Sequence, residues 1–282
     1  MPQTVESPLV TTEWLAAHLD APDVRVVDGS WYLPQAQRDP RDEYERGHIP
    51  GAVFFNIDEI ADTDSPYPHM LPSPEKFSSR MRAMGLGDGM RIVVYDGAGL
   101  FSAPRVWWMF RVMGHDDVVV LDGGLKKWKA EGRPLDDMRP RHSSRHFTAR
   151  RNTLIVRDRE AMLHNLDTCA EQVLDARSGR RFRAEEPEPR PGLKGGHIPG
   201  SLNLPSANLV NADGTLKSRE QLVRLFDDAG IDLARPVITT CGSGVSACIL
   251  ALGLAVLGHG RTSVYDGSWA EWGAAKGLPI EA

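Results

Sequence analysis

The sequence predicts an α/β protein of two similar domains, each a mainly parallel sheet with helices on both faces. Three observations carry this reading. The chain has 282 residues, more than the roughly 100–200 of a typical single domain. It repeats itself once, with a period of about 145 residues, which makes a domain duplication rather than a solenoid of small units. Within each copy, short β-branched runs alternate with segments of helical period, the pattern of parallel strands joined by helices.

The repeat is read from matched segments in unbroken order. Val26-Val27-Asp28 pairs with Val173-Leu174-Asp175, and Gly47-His48-Ile49-Pro50-Gly51 with Gly196-His197-Ile198-Pro199-Gly200. Val94-Tyr95-Asp96-Gly97 aligns with Thr239-Thr240-Cys241-Gly242. Leu121-Asp122-Gly123-Gly124 aligns with Tyr265-Asp266-Gly267-Ser268, and Trp128 and Trp272 follow them. Pro, Arg, His and Ser cluster between about Pro134 and Ile155, as in a connector. The expected domains are therefore 1–138 and 156–282, joined by a linker over 139–155. The basic cluster from Arg139 to Arg151 is expected to be solvated. His48 and His197 occupy the same turn in both copies, which favours a structural role.

The second copy illustrates the elements in chain order. Leu222, Leu225, Phe226 and Ala229 lie on one face of a helix over 218–229. Ser218 is its N-cap, Glu220 and Gln221 sit in its first turn, and Gly230 ends it. Pro236 to Thr240 reads as a buried parallel strand. An apolar helix follows from about Val245 to Leu257. The strand Thr262 to Tyr265 and a helix around Ser268 to Ala275 complete the unit.

Composition narrows the function classes. Apolar content of 41% and charged content of 25% are ordinary for a globular protein. A net charge of −5 offers no basic surface for nucleic acid. The longest apolar run, Ala247 to Leu257, is too short for a membrane span, which needs about 20 residues. Met1 to Glu6 lacks the features of a secretory signal. The cysteines Cys169, Cys241 and Cys248 are odd in number and form no C-x-x-C pair, so neither a disulfide framework nor a metal site is expected. The expected compartment is reducing and cytoplasmic. Cys169 and Cys248 are expected to be buried.

The chemistry is expected at Cys241-Gly242-Ser243-Gly244-Val245-Ser246-Ala247, between a strand and a helix. In open parallel sheets, ligands bind beyond the carboxyl ends of strands. Two glycines let the backbone curl so that amides point inward, and the helix N-terminus adds its positive end. Both favour a thiolate on Cys241, and equally an anionic persulfide. The rival chemistry is a cysteine phosphatase, which needs Cys-x5-Arg. Ala247 stands at that Arg position. No phosphate loop of the G-x-x-x-x-G-K-[ST] form is present. Gly85-Leu86-Gly87-Asp88-Gly89 precedes a strand, the wrong order for a dinucleotide. No cofactor is called for.

The tandem copies, the two Gly-His-Ile-Pro-Gly turns and the Cys241 loop resemble the rhodanese superfamily over essentially the whole chain. The loop is most similar to that of the 3-mercaptopyruvate sulfurtransferases, with Ser246 where that family usually has Thr. Thiosulfate sulfurtransferases carry Arg and Lys in the loop, and this loop has neither. The resemblance implies sulfur transfer from 3-mercaptopyruvate to a thiol, a thioredoxin-like protein or cyanide through a Cys241 persulfide. Arg181 and Arg190, in Arg181-Phe182-Arg183 and Glu186-Pro187-Glu188-Pro189-Arg190, match its substrate-binding segment, and a guanidinium suits a carboxylate. Gly242, Gly244, Val245 and Ser246 are expected to line the substrate. Asp58, His69 and Ser243 correspond to an Asp–His–Ser proton relay, implying a site between the two copies. Asp96 takes the Cys241 position in the first copy, which is expected to be non-catalytic. A thiosulfate enzyme, or a non-enzymatic binding module of the same fold, are the alternatives.

Overall fold

The computed structural model describes residues 7–140 and 142–282. Met1 to Glu6 and Arg141 lie outside them. The chain divides into two compact units. Unit 1 holds residues up to Ala61, Leu71–Asn152 and Asn211–Leu216. Unit 2 holds Asp62–Met70, Thr153–Val210 and Lys217–Ala282.

In unit 1 the order is β1 (Leu9–Val10), α1 (Thr12–His18), β2 (Val24–Asp28), α2 (Pro40–Arg46), β3 (Val53–Phe54), α3 (Pro74–Ala83), β4 (Arg91–Tyr95), α4 (Ala103–Val112), β5 (Val118–Leu121) and α5 (Gly124–Ala130). Unit 2 repeats it as β6 (Val156–Arg157), α6 (Arg159–Thr168), β7 (Gln172–Asp175), α7 (Gly179–Phe182), β8 (Leu202–Asn203), α8 (Arg219–Asp228), β9 (Val237–Thr240), α9 (Ala247–Val256), β10 (Thr262–Tyr265) and α10 (Ser268–Trp272). The sheets run β1-β5-β4-β2-β3 and β6-β10-β9-β7-β8. Among the described residues, every pairing between these strands is parallel. The two orders are the same under the repeat.

The central strands explain themselves. In β4, Ile92, Val93, Val94 and Tyr95 are wholly buried, as parallel strands covered on both faces must be. α9 is buried along most of its length, which accounts for the uninterrupted apolar run. α8 has the amphipathic pattern instead. Ser218 caps it in a full capping box with Gln221, and Gly230 follows at φ +82°. Helices α9 and α10 are shorter than their sequence patterns suggest. No helix among the described residues is long and apolar enough to cross a membrane.

The repeated Gly-His turns are structural devices. His48 pairs its backbone with Asp136, and His197 with Glu281. Each ring stacks on an aromatic, His48 on Tyr44 at 4.1 Å and His197 on Phe182 at 3.7 Å. Each Nδ1 meets the carbonyl of that same residue at 2.8 Å. The turn thus ties a segment that follows the last helix of each copy to the copy's core.

The basic stretch expected to be a solvated connector keeps Arg139, Arg145, Arg150 and Arg151 exposed, and it is also tied to unit 1. Phe147 is buried against Phe77, Phe110 and His115. Thr148 N–H donates to Asp88 at 2.9 Å, and Arg150 N–H to Met113 O at 2.9 Å. One aromatic anchor holds the stretch while the arginines around it stay in solvent.

The repeat also exposes a buried carboxyl. Asp28 and Asp175 end equivalent strands, but two residues later the first copy has Ser30 and the second Arg177. Burial, without a cation to offset it, raises Asp28 to about 6, and nearby Asp96 adds to the shift. A carboxyl raised in this way contributes stability below the unfolded value near 3.9 and loses it as pH rises through about 6. Asp28→Asn keeps an oxygen for the Ser30 amide and removes the charge. We expect it to stabilise unit 1 at pH 7–8 by up to about 3 kcal/mol, the gain disappearing below pH 4 in thermal melts. An equal gain at both pH values would contradict the assignment.

Candidate functional site

Cys241 lies just past β9, at the start of the turn 241–246 that leads into α9. It is 1% exposed, so its sulfur is sheltered rather than exposed. Gly244 has φ +75°, a left-handed conformation that glycine adopts without strain. α9 begins at Ala247 with no side-chain cap from Ser246. Among the described residues, the amides of Gly242, Ser243, Val245, Ser246 and Ala247 donate to no protein oxygen.

Both sequence-predicted arginines reach this loop. Arg190 Nη2 donates to Ser243 Oγ at 3.2 Å. A Cβ added to Gly242 would stand 3.1 Å from Arg181 Nη2 and 3.8 Å from Arg190 Nη1. A side chain at Gly242 would crowd Arg181, while Arg190 would stand at ordinary contact distance. Ser243 is buried.

Arg181 is aimed by a buried ion-pair chain. Its Nε–Nη2 edge is held by Glu188. The other carboxylate contact of Glu188 is Arg177 Nη1 at 2.8 Å. Arg177 in turn makes a fork with Asp175, donates to Gly196 O at 2.8 Å, and lies 4.3 Å over the Trp269 ring. Burial opposes the Arg177 charge, but Asp175 and Glu188 prevail and raise its pKa. The edge that Glu188 holds includes Nη2, the Arg181 atom nearest Gly242, so the guanidinium is fixed beside the loop.

The first copy holds the same kind of loop with a carboxylate in the sulfur position. Asp96 is fully buried. Its Oδ1 accepts from the amides of Ala98 and Gly99 at 2.8 and 2.9 Å. Its Oδ2 accepts from Phe101, Ser102 and Ala103 at 2.7, 2.9 and 2.8 Å. Five N–H groups converge on one anion, which is what a turn opening into a helix can offer.

Residues 11–131 and 158–275 each match the rhodanese-like domain family. The chain belongs to the rhodanese family. It is 44% identical to 3-mercaptopyruvate sulfurtransferase of Rattus norvegicus, covering 94% of this chain and 91% of that one. To the 3-mercaptopyruvate sulfurtransferase of Escherichia coli (strain K12) it is 43% identical, covering 96% and 97%. The thiosulfate sulfurtransferase of Rattus norvegicus is also 43% identical, over 96% and 93%. The crystal structure of SseA from Escherichia coli, a 3-mercaptopyruvate sulfotransferase with the rhodanese fold, matches with a TM-score of 0.86 at 40% identity, covering 93% and 99%.

In this rhodanese, the remaining expected residues fall as follows. His69 belongs to unit 2 through the segment Asp62–Met70, although its position in the sequence puts it in the first copy. It is 6% exposed and has φ +63°. A buried non-glycine residue in that region is strained, a condition that clusters at functional sites. Asp58 stands in unit 1, where its Oδ2 accepts from Trp31 Nε1 at 3.0 Å. Val245 is buried, while Ser246 is only partly so. Cys248 is buried as expected, its Sγ donating to Gly244 O at 3.2 Å. Cys169 is not buried. It is exposed in a left-handed C-cap at the end of α6, where the chain turns away from the core.

Arg177, Glu188 and Ser268 were not singled out by the sequence patterns as site residues. A signal for two of them was present. Arg177 replaces Ser30, and Ser268 replaces Gly124, at points where the two copies otherwise agree.

Proposed function

We propose that this rhodanese transfers sulfur from 3-mercaptopyruvate to a thiol acceptor through a persulfide on Cys241. The observation that carries the donor is the pair Arg181 and Arg190 beside a glycine-serine loop. Identity alone does not discriminate, since the thiosulfate relative is as similar as the mercaptopyruvate ones. The loop itself supplies amides and a hydroxyl but no cation. That suits a thiol sulfur with a remote carboxylate better than a dianion.

In the first step the Cys241 thiolate attacks the donor sulfur. The S–S bond forms as the C–S bond breaks, and its electron pair goes to carbon as the enolate of pyruvate. The proton displaced from the donor thiol goes to that carbon, giving pyruvate. The outer sulfur, left as an anion, meets the amides of the Cys241 loop. In the second step an acceptor thiolate takes the outer sulfur and returns Cys241 to the thiolate. Acceptors are small thiols, a thioredoxin-like protein or cyanide. Ser243 and His69 serve the proton transfer, His69 being suited to it near neutral pH. Asp58 enters the relay on sequence resemblance alone.

The test compares 3-mercaptopyruvate and thiosulfate in wild type and Arg190→Ala. Wild type is expected to favour mercaptopyruvate in kcat/KM by orders of magnitude. Arg190→Ala should cost mercaptopyruvate about 2–5 kcal/mol of transition-state binding and thiosulfate far less. A wild-type preference for thiosulfate, or equal losses with both donors, would overturn the mercaptopyruvate assignment and leave only the broader claim of a sulfurtransferase.

A further inference from the structure

Ser268 is the first residue of α10 and is completely buried. Its φ is +49°, a conformation that costs any residue with a Cβ. The first copy has Gly124 at the equivalent position, at φ +53°. The fold therefore accepts glycine here, and the catalytic copy carries a serine in spite of the strain.

The serine hydroxyl makes contacts that glycine cannot. It accepts from the backbone amide of Cys241 at 3.2 Å and donates to Tyr265 O at 2.8 Å. Thr240 Oγ1 lies 3.4 Å away. The next two residues continue the seam: Trp269 N–H donates to Cys241 O at 2.9 Å, and Ala270 N–H to Gly242 O at 2.8 Å. In unit 1 the Trp269 bond has a counterpart, from Leu125 N–H to Asp96 O at 3.0 Å. The hydroxyl bond to Cys241 has none, because Gly124 has no side chain.

We infer that Ser268 is a positioning residue that fixes the Cys241 backbone, and through it the direction of the sulfur. The inference rests on Cys241 being the sulfur carrier proposed above. Strain held at one residue is retained where the surrounding structure uses it, and a small misplacement of a reacting atom lowers the rate steeply.

The experiment compares Ser268→Ala with Ser268→Gly in the full chain. Both remove the hydroxyl, but only glycine is at ease at φ +49°. Ser268→Gly should melt higher than Ser268→Ala, yet both should lose kcat alike, by about 10- to 100-fold, with the donor KM changed by less than about threefold. If activity instead follows stability, so that glycine restores what alanine loses, Ser268 is merely structural and the inference falls. Unchanged kcat in both variants overturns it as well. Should Ser268→Ala fail to fold, Ser268→Gly against wild type decides alone. A wild type that uses neither 3-mercaptopyruvate nor thiosulfate would be the separate failure of the proposed function.

Discussion

Cys241→Ser is expected to reduce sulfurtransferase turnover by about 10⁴-fold or more and to leave the melting temperature within a few degrees. Serine matches the volume and polarity the loop already tolerates, since Ser243 and Ser246 flank it. It cannot hold a persulfide. Mass spectrometry after exposure to 3-mercaptopyruvate should find an adduct of one sulfur, about 32 Da, on Cys241 of wild type and on no residue of the variant. Residual turnover would have to come from another thiol. Cys248 is a poor candidate, buried on α9 with its thiol given to Gly244 O. Cys169 is exposed but stands at the C-terminal end of α6, where the helix presents carbonyls and disfavours a thiolate. Substantial activity in Cys241→Ser would therefore contradict the persulfide mechanism.

What the sequence disclosed, and what it hid, follows from the range of the interactions. α8 was legible to its cap because the Ser218–Gln221 box and the apolar face are local. The duplication was legible because matched turns such as Gly47-His48 and Gly196-His197 are short and distinctive. The arrangement of Arg181 was visible only as a motif. The reason it points at Gly242 is Arg177, which reaches Glu188 and Gly196 across long loops. Nor does chain order reveal that Asp62–Met70 packs in unit 2 and Asn211–Leu216 in unit 1. In unit 1, the latter segment is held by Leu216 N–H donating to Asp122 at 2.8 Å, a pairing 94 residues apart in sequence. Burial of Phe147 amid arginines was hidden for a related reason. A single ring fills a core gap while the arginines around it stay in solvent.

The contrast between Asp96 and Cys241 leads to the last expected result. Asp96 satisfies five amides with one carboxylate, and these include the first amide of α4. Asp96→Ala would leave those donors in a buried turn without an acceptor, each lost bond adding to the penalty. Asp96→Asn is a sharper probe, because it preserves shape. Its NH₂ group would face either two or three N–H donors, whichever way the amide is turned. Both variants should lose about 3–5 kcal/mol of stability in unit 1, by analogy with other buried charges whose partners are stranded. In calorimetry this is a fall of about 10 °C or more. Below its melting temperature either variant should still form the sulfur adduct on Cys241, because the proposed mechanism places the chemistry in the other loop. Cys241→Ser and Asp96→Asn thus separate two uses of one architecture. In the first copy the cradle is filled permanently by its own side chain, and filling it stabilises the fold. On the proposed mechanism, in the second it is left for the persulfide anion, which forms and is consumed in each cycle. A melting temperature for Asp96→Asn within about 1 °C of wild type would show that water serves those amides as well as the carboxylate does. The permanent-anion account of the first copy would then be wrong.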